Sequence, residues 1–160
     1  MQAIAFAFLT FFASHPAEPV PRNWIELKAG QAFTIKAPPG TKFQPEQGID
    51  SFVGSFVGRG FKIHFDYGIY SNDLEGMRGK KGIAFTDTQI DEKKGVIVIA
   101  RPNTPGCRTE VASHIKTAHV KRFSFLGRGY PKSLTIYGCA NIEDNVQIMK
   151  SMYRSIHFID

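Results

Sequence analysis

Hydrophobic and polar residues alternate strictly from Phe61 to Tyr67, a pattern that is typical of a half-buried β-strand. The preceding segment, SFVGSFVG, also alternates, and the glycine-bearing turn GRG at 58–60 joins the two segments into the clearest hairpin of the chain. A second hairpin is predicted from Ile83, where IAFTDTQI is followed by the charged turn DEKKG and by the apolar run VIVIA. Because that run is unbroken, it indicates a strand that is covered on both faces.

Several shorter segments also have the length and composition of strands. The sequence from Trp24, WIELKAGQAFTIKAPPG, predicts two short extended pieces around the turn Ala29-Gly30. Further along, TEVASHIKTA, KRFSFLG and SLTIYGCA are each bounded by Gly or Pro, whereas the polar, glycine-rich segment 71–82 predicts a loop with at most one helical turn. These segments together predict a meander of antiparallel strands.

One helix is predicted near the C-terminus, in ANIEDNVQIMKSMYRSIHF. Asn141 is expected to be its N-cap, with acidic residues in the first turn where the helix dipole favours them. The apolar stripe of this helix comprises Ile142, Val146, Met149, Tyr153 and Ile156. Because such a stripe needs a sheet to cover, we predict an α+β fold in which a single antiparallel sheet of about six to eight strands has the C-terminal helix packed on one face.

The end of the chain, LTIYGCANIEDNVQIMKSMYRSIHF, resembles the end of PsbP-like domains, and FTIKAPPG is similar to their opening strand and Pro-Gly turn. The middle segments, GIDSFVGSF and FDYGIYS, resemble small secreted bacterial proteins. The resemblance covers most of the chain after Trp24. It implies an exported sheet with helices against it, usually without known catalysis, which serves as an accessory subunit of a membrane complex in the photosynthetic relatives.

The first 17 residues predict a signal peptide, because the chain is apolar from Ala3 to Ala13 and carries no charge before Glu18. The apolar run is too short to span a membrane, and no transmembrane segment is expected. An ordinary buried helix or strand is the alternative for this run, which lacks a preceding basic residue. Residues 18–23 then form a Pro-rich extended segment, and residues 24–160 are predicted to be one α+β domain, a size that suits a single core.

Export would favour a disulfide between the two cysteines, Cys107 and Cys139. On the chain-entropy model such a bond contributes about 3 to 4 kcal/mol. The alternative is two free, buried thiols. The sequence has neither CxxC nor HExxH, nor any other paired Cys/His spacing. We therefore predict no metal site and no cofactor.

The formal net charge is +6, and the leader holds none of it. No acidic residue lies between Glu110 and Glu143, a stretch that predicts a basic surface for an anionic partner. Its basic residues are Lys116, Lys121, Arg122, Arg128 and Lys132. A protein or an anionic cell-envelope component is the predicted partner, and nucleic acid ranks last for an exported chain. The alternative is a set of solvated lysines scattered over separate strands.

Lys62, His64 and Asp66 share the polar side of the Phe61–Tyr67 strand. His64 and Asp66 are close enough there to supply two metal ligands or an oriented imidazole-carboxylate pair. Catalysis needs a third group, for which a neighbouring strand offers His114 or His119. The simpler interpretation is that Lys62, His64 and Asp66 form the solvent-exposed face of a strand. The candidate ligand-binding residues are therefore Arg59, Lys62, His64, Asp66, Lys121, Arg122 and Arg128, and no catalytic residue is assigned.

Three functional hypotheses follow from the sequence. The leading one is a secreted or periplasmic, non-enzymatic domain that binds a protein or an anionic envelope component through a basic surface of strands and loops. The second is a hydrolase or metal-dependent enzyme that uses His64 and Asp66. The third is a purely structural exported domain that packs into an assembly, which a large exposed apolar patch would favour. The sequence leaves the oligomeric state open.

Overall fold

The computed structural model describes residues 20–69, 71–102, 105–120 and 130–159. These residues form ten strands and one α-helix. The strands are β1 Ile25–Ala29, β2 Phe33–Ala37, β3 Lys42–Glu46, β4 Phe52–Gly58, β5 Phe61–Gly68, β6 Ile83–Ile90, β7 Lys93–Ala100, β8 Thr109–Val120, β9 Tyr130–Ala140 and β10 His157–Phe158. The helix, α1, is Glu143–Arg154, and a single 3-10 turn covers Glu75–Met77. The predicted signal peptide and the predicted strand KRFSFLG lie outside the described residues.

The predicted hairpins β4–β5 and β6–β7 are confirmed. Gly60 has a φ of +80°, which lets the first turn close directly between its two strands. The second turn places Asp91 and Glu92 at φ values of +51° and +61°. Two successive positive φ values match the twist of a two-residue hairpin, although glycine and asparagine adopt them more readily than glutamate does.

The prediction of a single sheet is wrong, because the described strands form two sheets. The larger sheet has seven antiparallel strands in the order β3-β4-β5-β9-β8-β7-β6. The smaller sheet has the order β1-β2-β10, in which the C-terminal strand pairs His157 with Thr34 and Phe158 with Phe33. On β2, Phe33, Ile35 and Ala37 face the main core while Lys36 on the opposite side is exposed, so the small sheet packs on the core through one face.

Helix α1 packs on the sheet as predicted, with Val146, Met149 and Tyr153 buried, but Ile142, which was predicted to belong to the same stripe, is exposed. The Tyr153 hydroxyl donates a hydrogen bond to the carbonyl of Val111 on β8 at 2.9 Å. The predicted N-cap is wrong: the helix begins one residue later than expected, with Ile142 at the N-cap. Asn141 does not cap the helix because its side-chain oxygen accepts a hydrogen bond from the Arg108 backbone at 3.3 Å.

The large sheet has two unequal faces. Its inner face meets α1 and the small sheet in the main core, which includes Phe56, Ile63 and Phe65. Its outer face is covered over β6–β8, where the loop 71–82 inserts Leu74 against a second apolar cluster, and at Thr135 of β9, which donates a hydrogen bond to the Asn72 carbonyl at 2.7 Å. The apolar strand β7 is therefore covered on both faces, as predicted, since Val98 packs in this second cluster and Ile99 packs on the main core. The remainder of the outer face is open.

Candidate functional site

The open part of the outer face carries the polar residues of β5. Phe61, Ile63 and Phe65 are buried on the inner side of this strand, so Lys62 and His64 project outwards. Their side chains are 49% and 34% exposed. The alternation that the sequence predicted is confirmed, and the polar row is the wet side of a strand near the middle of the sheet.

His64 lies in a cluster that draws on three strands. Its ring stacks on Tyr137 of β9, its directly opposed partner in the register, with ring centroids 5.7 Å apart and planes 21° apart. Glu46 of β3 lies 3.5 Å from His64 Nδ1 and 3.6 Å from Lys62 Nζ. Tyr137 is 44% exposed, so the stacked pair leaves part of an aromatic ring open to solvent beside the Lys62 ammonium group.

The Glu46 carboxylate is held in its charged form by its neighbours. The Ser55 hydroxyl, followed by the positive charges of His64 and Lys62, lowers the pKa of Glu46 below its ordinary value. Ser55 Oγ is buried and has no hydrogen-bond partner within the described chain. The hydroxyl therefore acts on the Glu46 carboxylate as a nearby dipole and not through a well-formed hydrogen bond. Glu46 is therefore an anion within ion-pair distance of Lys62 and beside the His64 ring.

Asp66 does not join this cluster. It lies opposite Thr135 of β9 and Val53 of β4, and its Oδ1 is buried without a hydrogen-bond partner among the described residues. The structure therefore does not bring His64 and Asp66 together in one recess. Within the described ranges, no set of three His, Cys, Asp or Glu side chains converges in a way that could hold a metal ion.

A groove of about 520 Å³ runs past the aromatic pair. Lys62, His64 and Tyr137 line one side, and the connection between β7 and β8 forms the other side through Pro102 and Cys107. We call this recess the His64 groove. It is large enough to hold most of a ligand of several rings.

The predicted disulfide between Cys107 and Cys139 is confirmed, with the two Cα atoms 5.5 Å apart. Cys139 is paired with Lys62 in the β5–β9 register, so the disulfide stands at the end of the groove. It ties the β7–β8 connection to β9 and thereby fixes the position of one groove wall.

Arginines extend the groove at the same end. Arg101 and Arg108 line an adjoining recess of about 140 Å³, which shares Asn141 with the groove and also contains Glu143. Arg59, a predicted ligand-binding residue, is exposed in the β4–β5 turn, next to the groove residue Gly60. The other predicted basic residues, Lys121, Arg122 and Arg128, lie outside the described residues.

Of the two histidines considered as a third catalytic group, the structure describes the side chain of His114 alone. His114 is 3% exposed and its Nδ1 lies 3.0 Å from Thr135 Oγ1. Burial, and then the positive charge of Lys116, lowers the pKa of His114 below its ordinary value. His114 is thus a buried, hydrogen-bonded residue beneath the 71–82 loop rather than a member of the groove, and the side chain of His119 lies outside the described residues.

Sequence reasoning missed Tyr137 and Glu46, the two contacts that define the surroundings of His64. Tyr137 alternates with Thr135 and Cys139 in TIYGC, so its polar-face position was readable from the sequence. Its pairing with His64 was not readable, because it depends on the register between two strands that are about seventy residues apart in the chain.

No protein family, no curated protein and no solved structure matches this chain. Within the residues described, no helix combines the length and the apolar character that a membrane crossing requires. The resemblance to PsbP-like domains therefore stays a prediction.

Proposed function

We propose that this protein is a secreted or periplasmic, non-enzymatic binding domain, PsbP-like in form, and that it binds an anionic saccharide of the cell envelope in the His64 groove. The observation that carries the proposal is the solvent-facing stack of His64 on Tyr137 at the side of a groove that also contains Lys62. The apolar face of a sugar ring packs on such an aromatic surface, while a cation beside it pairs with a carboxylate or phosphate of the sugar.

The shape of the groove favours a saccharide over a protein partner. A stable protein interface requires about 800 Å² from each partner, and such interfaces are broad rather than channel-like. A recess of about 520 Å³ instead encloses a few linked rings. The basic side chains Arg59, Arg101 and Arg108 near its end would steer a polyanion towards it, against the opposing charges of Glu110 in its lining and of Glu46, which pairs with Lys62.

A titration of ¹⁵N-labelled protein tests the ligand class. Oligogalacturonate is the anionic probe, and a neutral dextran oligosaccharide of the same length is the control. We expect oligogalacturonate to shift the amide signals around His64, Tyr137 and Cys107, with an affinity that falls as salt rises. Equal shifts with dextran, or shifts confined to another surface, would contradict the proposal.

Two substitutions locate the contact. Tyr137→Ala is expected to weaken binding about tenfold, since a stacking contact is worth about 1 kcal/mol or more. Lys62→Gln should weaken it less and should reduce its salt dependence. Lys28→Gln, on the small sheet, is the matched control and should leave the affinity unchanged. An oligogalacturonate affinity that is unchanged in Tyr137→Ala would contradict the stacking argument.

Export is tested separately, by intact mass and thiol titration of protein taken from its native host. Removal of residues up to about Glu18, together with the absence of free thiol, is the expected result. A full-length chain with two free thiols would contradict export and would make nucleic acid a candidate partner of the basic surface again.

A further inference from the structure

A second cleft lies at the opposite end of β5 from the disulfide. It has a volume of about 720 Å³, and Phe52 and Tyr67 supply its aromatic walls. The β1–β2 turn forms its third side, where Gly30 has a φ of +56° and a Cβ on it would lie 3.2 Å from the Phe52 ring. Glycine therefore allows the turn to approach the ring closely enough to form a cleft rather than an open gap.

Two exposed aliphatic side chains lie on the rim of this cleft. Ile49 is fully exposed and Ile69 is 39% exposed, and both side chains line the cleft. They are two of the six large apolar side chains that are exposed among the described residues. Scattered exposed apolar residues are normal, but here two of them lie beside a recess that has two aromatic walls, so apolar side chains make up much of its lining, next to the polar residues Gln31, Asp50 and Ser51.

One positive charge is placed inside this apolar lining. The ammonium group of Lys132 lies 5.6 Å from the centre of the Tyr67 ring, and it forms no salt bridge with a carboxylate of the described chain. Asp50 also lines the cleft, but it is exposed, whereas Lys132 is half-buried. Since water screens an exposed charge more than a half-buried one, the Lys132 charge is the stronger of the two within the cleft.

We propose that this cleft binds a free amphipathic carboxylate, with its aliphatic chain between Phe52 and Tyr67 and its carboxylate on Lys132. Aromatic walls and an apolar rim suit an aliphatic chain, and a cation without an acidic partner suits a single anionic head. The volume is within the usual range for small-molecule sites, about 300 to 1,000 Å³. This site is independent of the His64 groove, with which it shares no lining residue.

Decanoate, added as a monomer to ¹⁵N-labelled full chain, is the probe, with decanol as the neutral analogue of equal length. We expect decanoate to shift the amide signals of Gly30, Phe52 and Ile69 and to bind at least threefold more tightly than decanol. Each methylene added to the chain should raise the affinity about two- to fourfold. Absence of shifts at these positions, or equal binding of decanol, would overturn the proposal.

Matched substitutions separate the head from the chain. Lys132→Gln should weaken decanoate binding about three- to tenfold and leave decanol binding unchanged, while Lys80→Gln, on the 71–82 loop, should change neither. Ile49→Ala should weaken both ligands about equally, and Ile142→Ala, at an exposed position before α1, should weaken neither. All four positions are on the surface, so the variants are expected to fold. A loss of decanoate binding in either control variant would contradict a free-carboxylate site. So would a protein that binds vesicles of anionic lipid but does not bind monomeric decanoate.

Discussion

Asp91 joins the two sheets through a compact set of contacts, and its replacement by Asn tests how much they stabilise the fold. Its carboxylate accepts hydrogen bonds from the Phe158 backbone at 3.0 Å and from Lys93 Nζ at 3.0 Å, and it lies 2.6 Å from His157 Nδ1. The side chain is 17% exposed. Partial burial opposes its ionisation, but the three donors outweigh burial and lower the pKa of Asp91 to about 2.

The magnitude follows from proton linkage. A carboxyl pKa lowered from 3.8 to about 2 corresponds to about 2 kcal/mol of stability at pH 7. Because the folded-state pKa is depressed, this contribution is fully present above about pH 4 and is lost as pH falls through about 2, with about half of it gone at pH 3. Asn tolerates the positive φ at this position, so Asp91→Asn removes the charge and leaves the turn intact.

Urea unfolding of both proteins at pH 7, 5 and 3 measures this contribution. We expect Asp91→Asn to cost about 2 kcal/mol at pH 7 and at pH 5, and about half of that at pH 3. Glu26→Gln, at an exposed position in β1, removes the same charge and is the control for a general change in charge. A difference between the two proteins that is below about 0.5 kcal/mol at pH 7, or that stays constant down to pH 3, would refute the linkage argument.

Three further predictions concern the stability of the fold. Glu92→Gly should stabilise the protein by roughly 0.5 to 1 kcal/mol in urea unfolding, because glycine adopts the positive φ at this exposed turn without strain; a loss of stability would contradict this. The unfolded chain protonates His114 as pH falls through about 6.5, whereas the folded chain, in which the pKa of His114 is lowered, protonates it only at a lower pH. Stability should therefore fall from pH 7 towards acid, and His114→Gln should flatten that slope in thermal unfolding. If the stability of the variant depends on pH as steeply as that of the unmodified protein, titratable groups other than His114 cause the dependence. Replacing both Cys107 and Cys139 by Ser should lower the free energy of unfolding by about 3 to 4 kcal/mol, because the disulfide restricts the unfolded chain. A decrease below about 1 kcal/mol would contradict this chain-entropy argument.

The parts of the fold that the sequence predicted depend on local signals. The β4–β5 hairpin follows from strict alternation around a glycine turn, and helix α1 follows from the spacing of its apolar residues. The small sheet was not predictable, because β10 has only two residues and pairs with Thr34 and Phe33 more than 120 positions earlier. A two-residue strand has no periodicity to detect, so only the packed fold reveals it.

The same distinction applies to the candidate site. Lys62 and His64 were predicted to share a face because residues two apart on a strand always do so. The neighbours of His64, which are Tyr137 and Glu46, come from strands whose positions in the sheet could not be read from the chain. Asp66 satisfied the same sequence rule as His64 and yet faces different partners, because each step along β5 changes the cross-strand neighbours.

The position of β9 makes the two proposed sites separable. This strand pairs with both β5 and β8, and it supplies Lys132 to the carboxylate cleft and Cys139 to the His64 groove. Seven residues of extended chain separate these two positions by about 23 Å. Reduction of the disulfide would free the groove wall around Cys107 while leaving the cleft at the other end of β9 in contact with the β1–β2 turn. Reduction should therefore lower the affinity for oligogalacturonate and leave the affinity for decanoate unchanged. A loss of both affinities would mean that the position of β9 in the sheet depends on the disulfide.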